Sequence, residues 1–301
     1  MGQVIVSTSN LKGLADIIRL KSGKSDLMTL DSMPRRIRLL PGRVSNEINV
    51  SDLCQDSASD YVANVKLRTI PLLKTTGMTD MSSMLKGLNS YDLITAQAAN
   101  YLIDVSSLNT ASVTNMSSMF EGAKGDVEGI HRWDTSNVTN MSSMFKEFFI
   151  YSSHPSGPAR TIDLDNLDVS SVTDFSYMFN GTMFATQISP LQKYYIDLNS
   201  FDTSSATTMQ RMFQNFDAYD IPSTGYYGIY LWVPSTFVST QISQDNLKPF
   251  YYGPSQSHSL SKLHVYTDAT DAVSQGWGTI HSGFDMHYNS THADFLDLVN
   301  S

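Results

Sequence analysis

One short motif occurs five times between residues 78 and 213, and it constrains the fold more than any other feature of the chain. Each copy joins a turn-forming Thr-Asn or Thr-Asp pair, or Thr-Thr in the last copy, to a five-residue box of the form Met-Ser-Ser-Met-Phe. The boxes occupy residues 81–85, 116–120, 141–145, 175–179 and 209–213. Motifs that recur in this way are typical of proteins in which each unit packs on its neighbours. The sequence therefore predicts a repeat protein, whose surface is used for binding and not for chemistry.

The repeat length varies from unit to unit. The boxes begin at residues 81, 116, 141, 175 and 209, so the steps are 35, 25, 34 and 34 residues. The shortest step falls in the range of about 20–29 residues that leucine-rich repeats show. Short runs of alternating apolar and polar residues at 101–105, 161–164 and 195–198 predict strands.

The boxes predict a short helical turn. Met116, Met119 and Phe120 are spaced i, i+3 and i+4, which places them on one face of a helix. Thr114 or Asn115 is suited to cap that turn. The predicted fold class is α/β, a right-handed leucine-rich-repeat solenoid with one short strand and one short helix in each coil.

The apolar residues of the boxes are the predicted core. Methionine suits such a core because its unbranched thioether fills irregular gaps. Trp232 is predicted to be buried as well. The predicted core residues are Met116, Met119, Phe120, Met141, Met144, Phe145, Met178, Phe179, Met212 and Phe213.

The additional residues of the three long repeats are predicted to be loops on one side of the array. They lie at about 86–100, 146–160 and 180–195, because an insertion must leave the core undisturbed. Phe148 and Phe149 fit either the core or a binding surface. Tyrosine suits a binding surface because it offers a large contact area and a polar tip. The candidate binding residues are Tyr91, Tyr151, His154, Tyr194, Tyr195, Tyr226 and Tyr227.

The segment Trp-Asp-Thr-Ser-Asn-Val-Thr-Asn-Met-Ser-Ser-Met-Phe at 133–145 resembles the BspA-like (DUF285) leucine-rich repeats of bacterial surface proteins and their phages. The resemblance covers about residues 65–285, although the units after residue 214 diverge and lack the box. It implies a leucine-rich-repeat solenoid at 65–285. Residues 286–301 are then expected to form a C-terminal cap.

The N-terminal residues form a different module. Residues 1–43 contain eight Lys or Arg residues and the pattern of two short helices. The stretch 10–37 resembles a segment common in tail and baseplate proteins of phages of Gram-positive hosts, which implies attachment to other virion proteins or to further copies of the chain. The alternative is that 1–43 only caps the repeats. Residues 44–64 are predicted to be a connector.

Composition excludes several classes of function. The net charge of −9 argues against nucleic acid as the main partner. The sequence contains no run of 18 apolar residues, so membrane insertion is not predicted. The first residues also lack the pattern of a signal peptide. Cys54 is the single cysteine, so an intrachain disulfide is excluded.

No catalytic residue, cofactor or metal site is predicted. The sequence contains no phosphate-binding Gly loop and no nucleophile elbow. The histidines near the C-terminus match no zinc motif in their spacing and are interpreted as surface residues. Asp163, Asp165 and Asp168 are interpreted as solvent-facing and turn carboxylates, with calcium binding as the alternative, although the spacing of a specific calcium loop is missing. The histidine group comprises His281, His287 and His292, near Asp285 and Asp294.

These features predict a non-enzymatic virion protein of a phage, located in the tail, baseplate or fibre. Its predicted partners are other virion proteins, further copies in a homo-oligomer, and a polysaccharide or protein on the host cell surface. The alternative is a BspA-type adhesin on the bacterial cell surface. A third hypothesis, a glycan-cleaving enzyme on a repeat scaffold, lacks the paired carboxylates that such enzymes use.

Overall fold

A computed structural model describes residues 75–88, 102–152, 162–164, 166–186, 194–219, 229–254 and 263–300. The predicted N-terminal module at 1–43 and the connector at 44–64 lie outside these residues. So do four of the candidate binding residues, namely Tyr91, His154, Tyr226 and Tyr227.

The regular elements of the described residues are mostly short strands. The strands are β1 Leu102–Asp104, β2 Asp126–Glu128, β3 Phe149–Ser152, β4 Met183–Thr186, β5 Tyr194–Asp197, β6 Asp217–Tyr219, β7 Ile229–Trp232, β8 Leu263–Tyr266 and β9 Phe284–His287. Single 3-10 turns occur at Ile130–Arg132 and Asp245–Leu247. Helix α1 spans His292–Asn300.

All strand pairs in the described residues are parallel. The strands form a two-stranded sheet, β1-β2, a three-stranded sheet, β3-β4-β6, and a four-stranded sheet, β5-β7-β8-β9. Parallel neighbours that follow one another at repeat spacing agree with the predicted α/β class. The strands predicted at 101–105 and 195–198 are confirmed as β1 and β5. Residues 162–164 form no strand, although Ile162 and Leu164 are buried.

The additional residues of the long repeats were predicted to be loops, and for two of the three insertions this prediction is wrong. Strand β3 lies within the predicted loop 146–160, and β4 lies within 180–195. Both strands begin just after a box and pair with each other, and β4 also pairs with β6. Equivalent insertions lie beside each other. Their backbone N–H and C=O groups therefore find hydrogen-bond partners in each other, which forms the sheet β3-β4-β6.

The boxes are chains of tight turns, so the predicted helix is wrong. Ser118, in the middle of its box, has a φ of +55°, and the same position is left-handed in the other four boxes. A left-handed residue interrupts a right-handed helix. Met119 N–H donates to Met116 O at 3.3 Å, which closes a turn in place of a helical bond.

Backbone hydrogen bonds join each box to the next. The N–H groups of Met116, Ser118 and Phe120 donate to the carbonyls of residues 140, 142 and 144, at 2.8–2.9 Å. The same alternate bonding links the following boxes. Asn115 accepts from the N–H of Ser117 at 3.1 Å, so the predicted capping residue is confirmed, but it caps a turn.

The predicted core is confirmed. All ten predicted Met and Phe residues are fully buried, and so is Phe148, which extends the core. The phenyl rings of the boxes form a stacked row, with ring centroids 5.3–5.8 Å apart. Phe250 continues this row 5.5 Å beyond Phe213. Met209 N–H also donates to Leu247 O, so residues 247–250 take the place of a box in the divergent part of the chain.

Candidate functional site on the outer face of the four-stranded sheet

The four-stranded sheet β5-β7-β8-β9 has two faces of different chemistry. Successive side chains of a strand point to opposite faces. Ile196, Leu231 and Val265 alternate onto one face and are buried in the main core. We call the other side the outer face; it carries Tyr195, Asp197, Tyr230, Trp232, His264, Tyr266, Asp285 and His287.

The strand register arranges these outer side chains in two rows. One row runs Tyr195, Tyr230, His264 and Asp285, and the second runs Asp197, Trp232, Tyr266 and His287. Residues opposite each other on neighbouring strands contact directly. Aromatic rings, imidazoles and carboxylates are therefore concentrated on one side of the sheet.

Helix α1 covers part of the outer face. Phe295 lies with its ring centroid 5.6 Å from that of Trp232 and 5.8 Å from that of Tyr195. His292 Nε2 lies 2.6 Å from Asp197 Oδ2. Trp232, predicted to be buried, is 1% exposed, but it belongs to this separate cluster under the helix. The helix thus buries Trp232 and packs against the three tyrosines of the outer face, which stay partly exposed.

The β8 and β9 side of the outer face holds a His-Asp-His cluster. Asp285 Oδ2 lies 3.1 Å from His264 Nδ1 and 3.4 Å from His287 Nε2. The two imidazole nitrogens lie 3.4 Å apart. The three side chains are 32–39% exposed, so solvent reaches the cluster.

Two tyrosines flank the cluster. The ring of Tyr266 stacks on His287 at 4.2 Å, and that of Tyr230 stacks on His264 at 5.5 Å. Burial raises the pKa of the Tyr230 hydroxyl above its ordinary value. The pKa of Tyr266 is raised by burial first, and then by the charges of Tyr230 and Asp285. Both hydroxyls therefore stay protonated at neutral pH and can donate hydrogen bonds.

The structure places three of the candidate binding residues. Tyr151 lies in β3 and Tyr194 in β5, where only their backbone is described. Tyr195 lies on the outer face, half-buried against Phe295. Phe149, half-buried in β3, lies beneath the ammonium group of Lys124 at 6.0 Å from the ring centroid.

The three histidines noted near the C-terminus do not come together, in agreement with their interpretation as scattered surface residues. His281 accepts a bond from Gly283 N–H, and His292 pairs with Asp197. His287 and Asp285 do lie side by side, but their partner is His264, which the sequence analysis missed. The alternating segment Leu-His-Val-Tyr at 263–266 contained the signal, because it indicates a strand with His264 and Tyr266 on one face.

Similarity of the chain to known proteins is found at the level of a family profile. No curated protein and no solved structure shows significant similarity to it. In the described parts of the chain, every helix is too short or too polar to cross a lipid bilayer. The resemblance of the N-terminal residues to phage tail and baseplate proteins is not addressed by these comparisons, so the virion assignment stays a prediction.

One family profile matches the repeats. It is described as "Mycoplasma protein of unknown function, DUF285", and it matches residues 56–190 and 157–227. The two overlapping matches together cover more than half of the chain and include all five boxes. They therefore support the resemblance inferred from the box motif, and the chain belongs to the DUF285 family of BspA-like proteins.

Proposed function

We propose that this chain is a bacterial surface protein of the BspA type, which attaches to its target by non-covalent contact through a leucine-rich-repeat solenoid. One observation carries the proposal. Backbone groups at equivalent positions of successive repeats are bonded to each other from Thr79 to Gly253. Such regular bonding between neighbours is how repeat arrays build broad side surfaces, and those surfaces are used for binding.

A row of threonines supports the solenoid. Thr114 donates both its N–H and its hydroxyl to the carbonyl of Thr79, at 2.8 and 3.1 Å. The same pair of hydrogen bonds joins each later threonine of the row to the preceding one; these threonines are Thr139, Thr173 and Thr207. Together with the row of stacked phenyl rings, this bonding favours one continuous array in which each unit contacts its neighbours.

The outer face is the binding surface in this proposal. Its partly exposed side combines Tyr230 and Tyr266 with the polar groups of His264, Asp285 and His287. Tyrosine supplies contact area at a low cost in side-chain entropy, and the polar groups supply hydrogen bonds. The proposed target is a polysaccharide or a protein exposed on a cell surface.

A binding experiment tests the proposal. The purified chain is immobilised and exposed to a panel of bacterial wall polysaccharides, host surface glycans and extracellular-matrix proteins. We expect saturable binding to at least one target, weakened by Tyr230→Ala. Tyr177→Ala is the matched control, since Tyr177 is a half-buried tyrosine on a box and not on this sheet. Binding that both variants retain would place the binding surface elsewhere, and a wild-type chain that binds nothing would contradict the function.

Product analysis separates attachment from glycan cleavage. The same polysaccharides are incubated with the chain and analysed for new reducing ends by chromatography. The proposal expects binding without products. Products that accumulate with time and with protein concentration would support an enzyme in place of an adhesin.

A further inference from the structure

We propose that His264, Asp285 and His287 form a binding site for one divalent transition-metal ion of the zinc class. The proposed ligands are His264 Nδ1, Asp285 Oδ2 and His287 Nε2. These atoms lie 3.1, 3.4 and 3.4 Å from one another. Among the described residues this is the one group of three such side chains close enough to share an ion. The inference does not depend on the proposed attachment function.

The distances fit a tetrahedral ion. Zinc bonds nitrogen and carboxylate oxygen at about 2.0–2.1 Å, which separates neighbouring ligand atoms by about 3.3 Å in a tetrahedron. Neighbouring positions of an octahedron or square plane would be only about 2.9 Å apart at the same bond length. The observed triangle has the size of one face of the tetrahedron.

At most two of the three edges of this triangle can be hydrogen bonds. An ionised carboxylate oxygen accepts but cannot donate, and each imidazole nitrogen carries at most one proton. If both histidines donate to Asp285, their N–H groups approach each other, since the two nitrogens are 3.4 Å apart. A cation bound to all three atoms replaces the protons between them, which removes that conflict.

The sheet holds the three side chains in place. His264 lies directly opposite Asp285 in the β8-β9 register, and Asp285 and His287 are two residues apart on one strand. Stacking on Tyr230 and Tyr266 orients the two imidazole rings. Ligands fixed by neighbouring strands and by packing lose little entropy when an ion binds.

The ligand set selects the class of ion. Calcium and magnesium prefer oxygen ligands, whereas two imidazoles and one carboxylate suit zinc and its neighbours in the first transition row. Since the side chains are about one-third exposed, a fourth coordination position faces solvent. Water or a donor group of a bound partner would fill that position.

Isothermal titration of the full chain tests the site. After treatment with a chelator, the wild type is titrated with ZnCl₂, and CaCl₂ serves as a second probe. We expect one zinc ion per chain, weaker by more than about tenfold in either His264→Ala or His287→Ala, and no calcium binding at the same concentration. The control His131→Ala removes a histidine beside a carboxylate, Asp163, in another repeat and should bind zinc like the wild type.

A second measurement uses the wild type alone, in case a variant fails to fold. Cobalt(II) bound in a tetrahedral site absorbs visible light strongly, whereas hexa-aqua cobalt(II) absorbs weakly. We expect the strong absorption with one equivalent of cobalt and its loss when zinc is added. The proposal is overturned if the wild type shows no stoichiometric zinc binding, if the cobalt spectrum is that of the hydrated ion, or if both histidine variants bind zinc with wild-type affinity.

Discussion

At the scale of single residues, a stack of aromatic rings connects the repeats. Phe145 lies between Phe120 and Phe179 with centroid distances of 5.3 and 5.6 Å, and its ring is within 3° of parallel to both. The edge of Phe148 also meets Phe145 at 5.8 Å. Because each ring contacts both neighbouring repeats, one phenylalanine contributes to two interfaces between units.

Phe145→Ala should therefore destabilise the chain strongly. Truncation of a fully buried phenylalanine costs about 3–5 kcal/mol through lost transfer free energy and the cavity that remains. Denaturant unfolding followed by circular dichroism measures this cost. Phe145→Leu retains most of the volume and should cost clearly less. Equal and small effects of both substitutions would contradict a close-packed stack.

At the scale of the structural element, each box is followed, two residues later, by a left-handed residue. The sixth position after the start of a box is Gly87, Gly122 and Gly181 in three repeats, and all three have φ between +65° and +67°. Asn215, which tolerates this conformation, takes the position in a fourth repeat at +56°. Glu147 takes it in the remaining repeat, at a φ of +53°. The turn is thus imposed by the array, even on a residue that disfavours it.

Glu147→Gly should stabilise the chain by up to about 1 kcal/mol. Left-handed backbone costs a residue with a Cβ atom about 1–2 kcal/mol, and glycine avoids this cost. Part of the gain is offset because glycine loses more backbone entropy on folding. The substitution also removes an ion pair between Glu147 and Lys146, whose charged atoms are 3.8 Å apart, but this exposed pair contributes little to stability. Melting temperature measures the change. Gly122→Ala is the reciprocal test: open space surrounds a Cβ there, so its expected destabilisation of about 1 kcal/mol arises from the backbone alone. A neutral result for both substitutions would show that the turn stores no strain.

At the scale of the whole molecule, backbone hydrogen bonds connect each repeat to the next one. In a repeat array each unit contacts its neighbours and little else. The predicted helices at 1–43 are too short to bury much surface alone, which is the basis for predicting that they mediate assembly. We therefore predict that folding of the repeats and assembly of the chain are separable properties.

Deletion of residues 1–43 should leave the repeats folded and abolish self-association. We expect the free energy of unfolding of the repeats to change by less than about 1 kcal/mol, since the units of a repeat array are stabilised mainly by their neighbours. Analytical ultracentrifugation of the shortened chain should give the mass of a monomer, whereas the full chain should give a larger mass. An unchanged mass, or loss of the folded repeats, would assign residues 1–43 a capping role in place of an assembly role.

The sequence by itself determined what depends on chemistry within a few residues. The recurring box predicted the repeat, and the spacing of its apolar residues predicted a core in which all ten Met and Phe residues are indeed buried. The capping role of Asn115 also follows from a side chain that bonds to backbone two residues ahead. Alternating runs predicted β1 and β5 for the same reason, since burial on one face of a strand requires that pattern.

Only the tertiary structure decided which partner each backbone group and each side chain has. Phe120 N–H bonds to Met144 O in the next repeat, and this choice converts a predicted helical turn into a chain of tight turns. The insertions form β3 and β4 because equivalent insertions lie beside each other. His264 lies near His287 because β8 and β9 are neighbours in register. Each outcome is a competition between local bonds and bonds to a neighbouring unit, and no local spacing encodes its result.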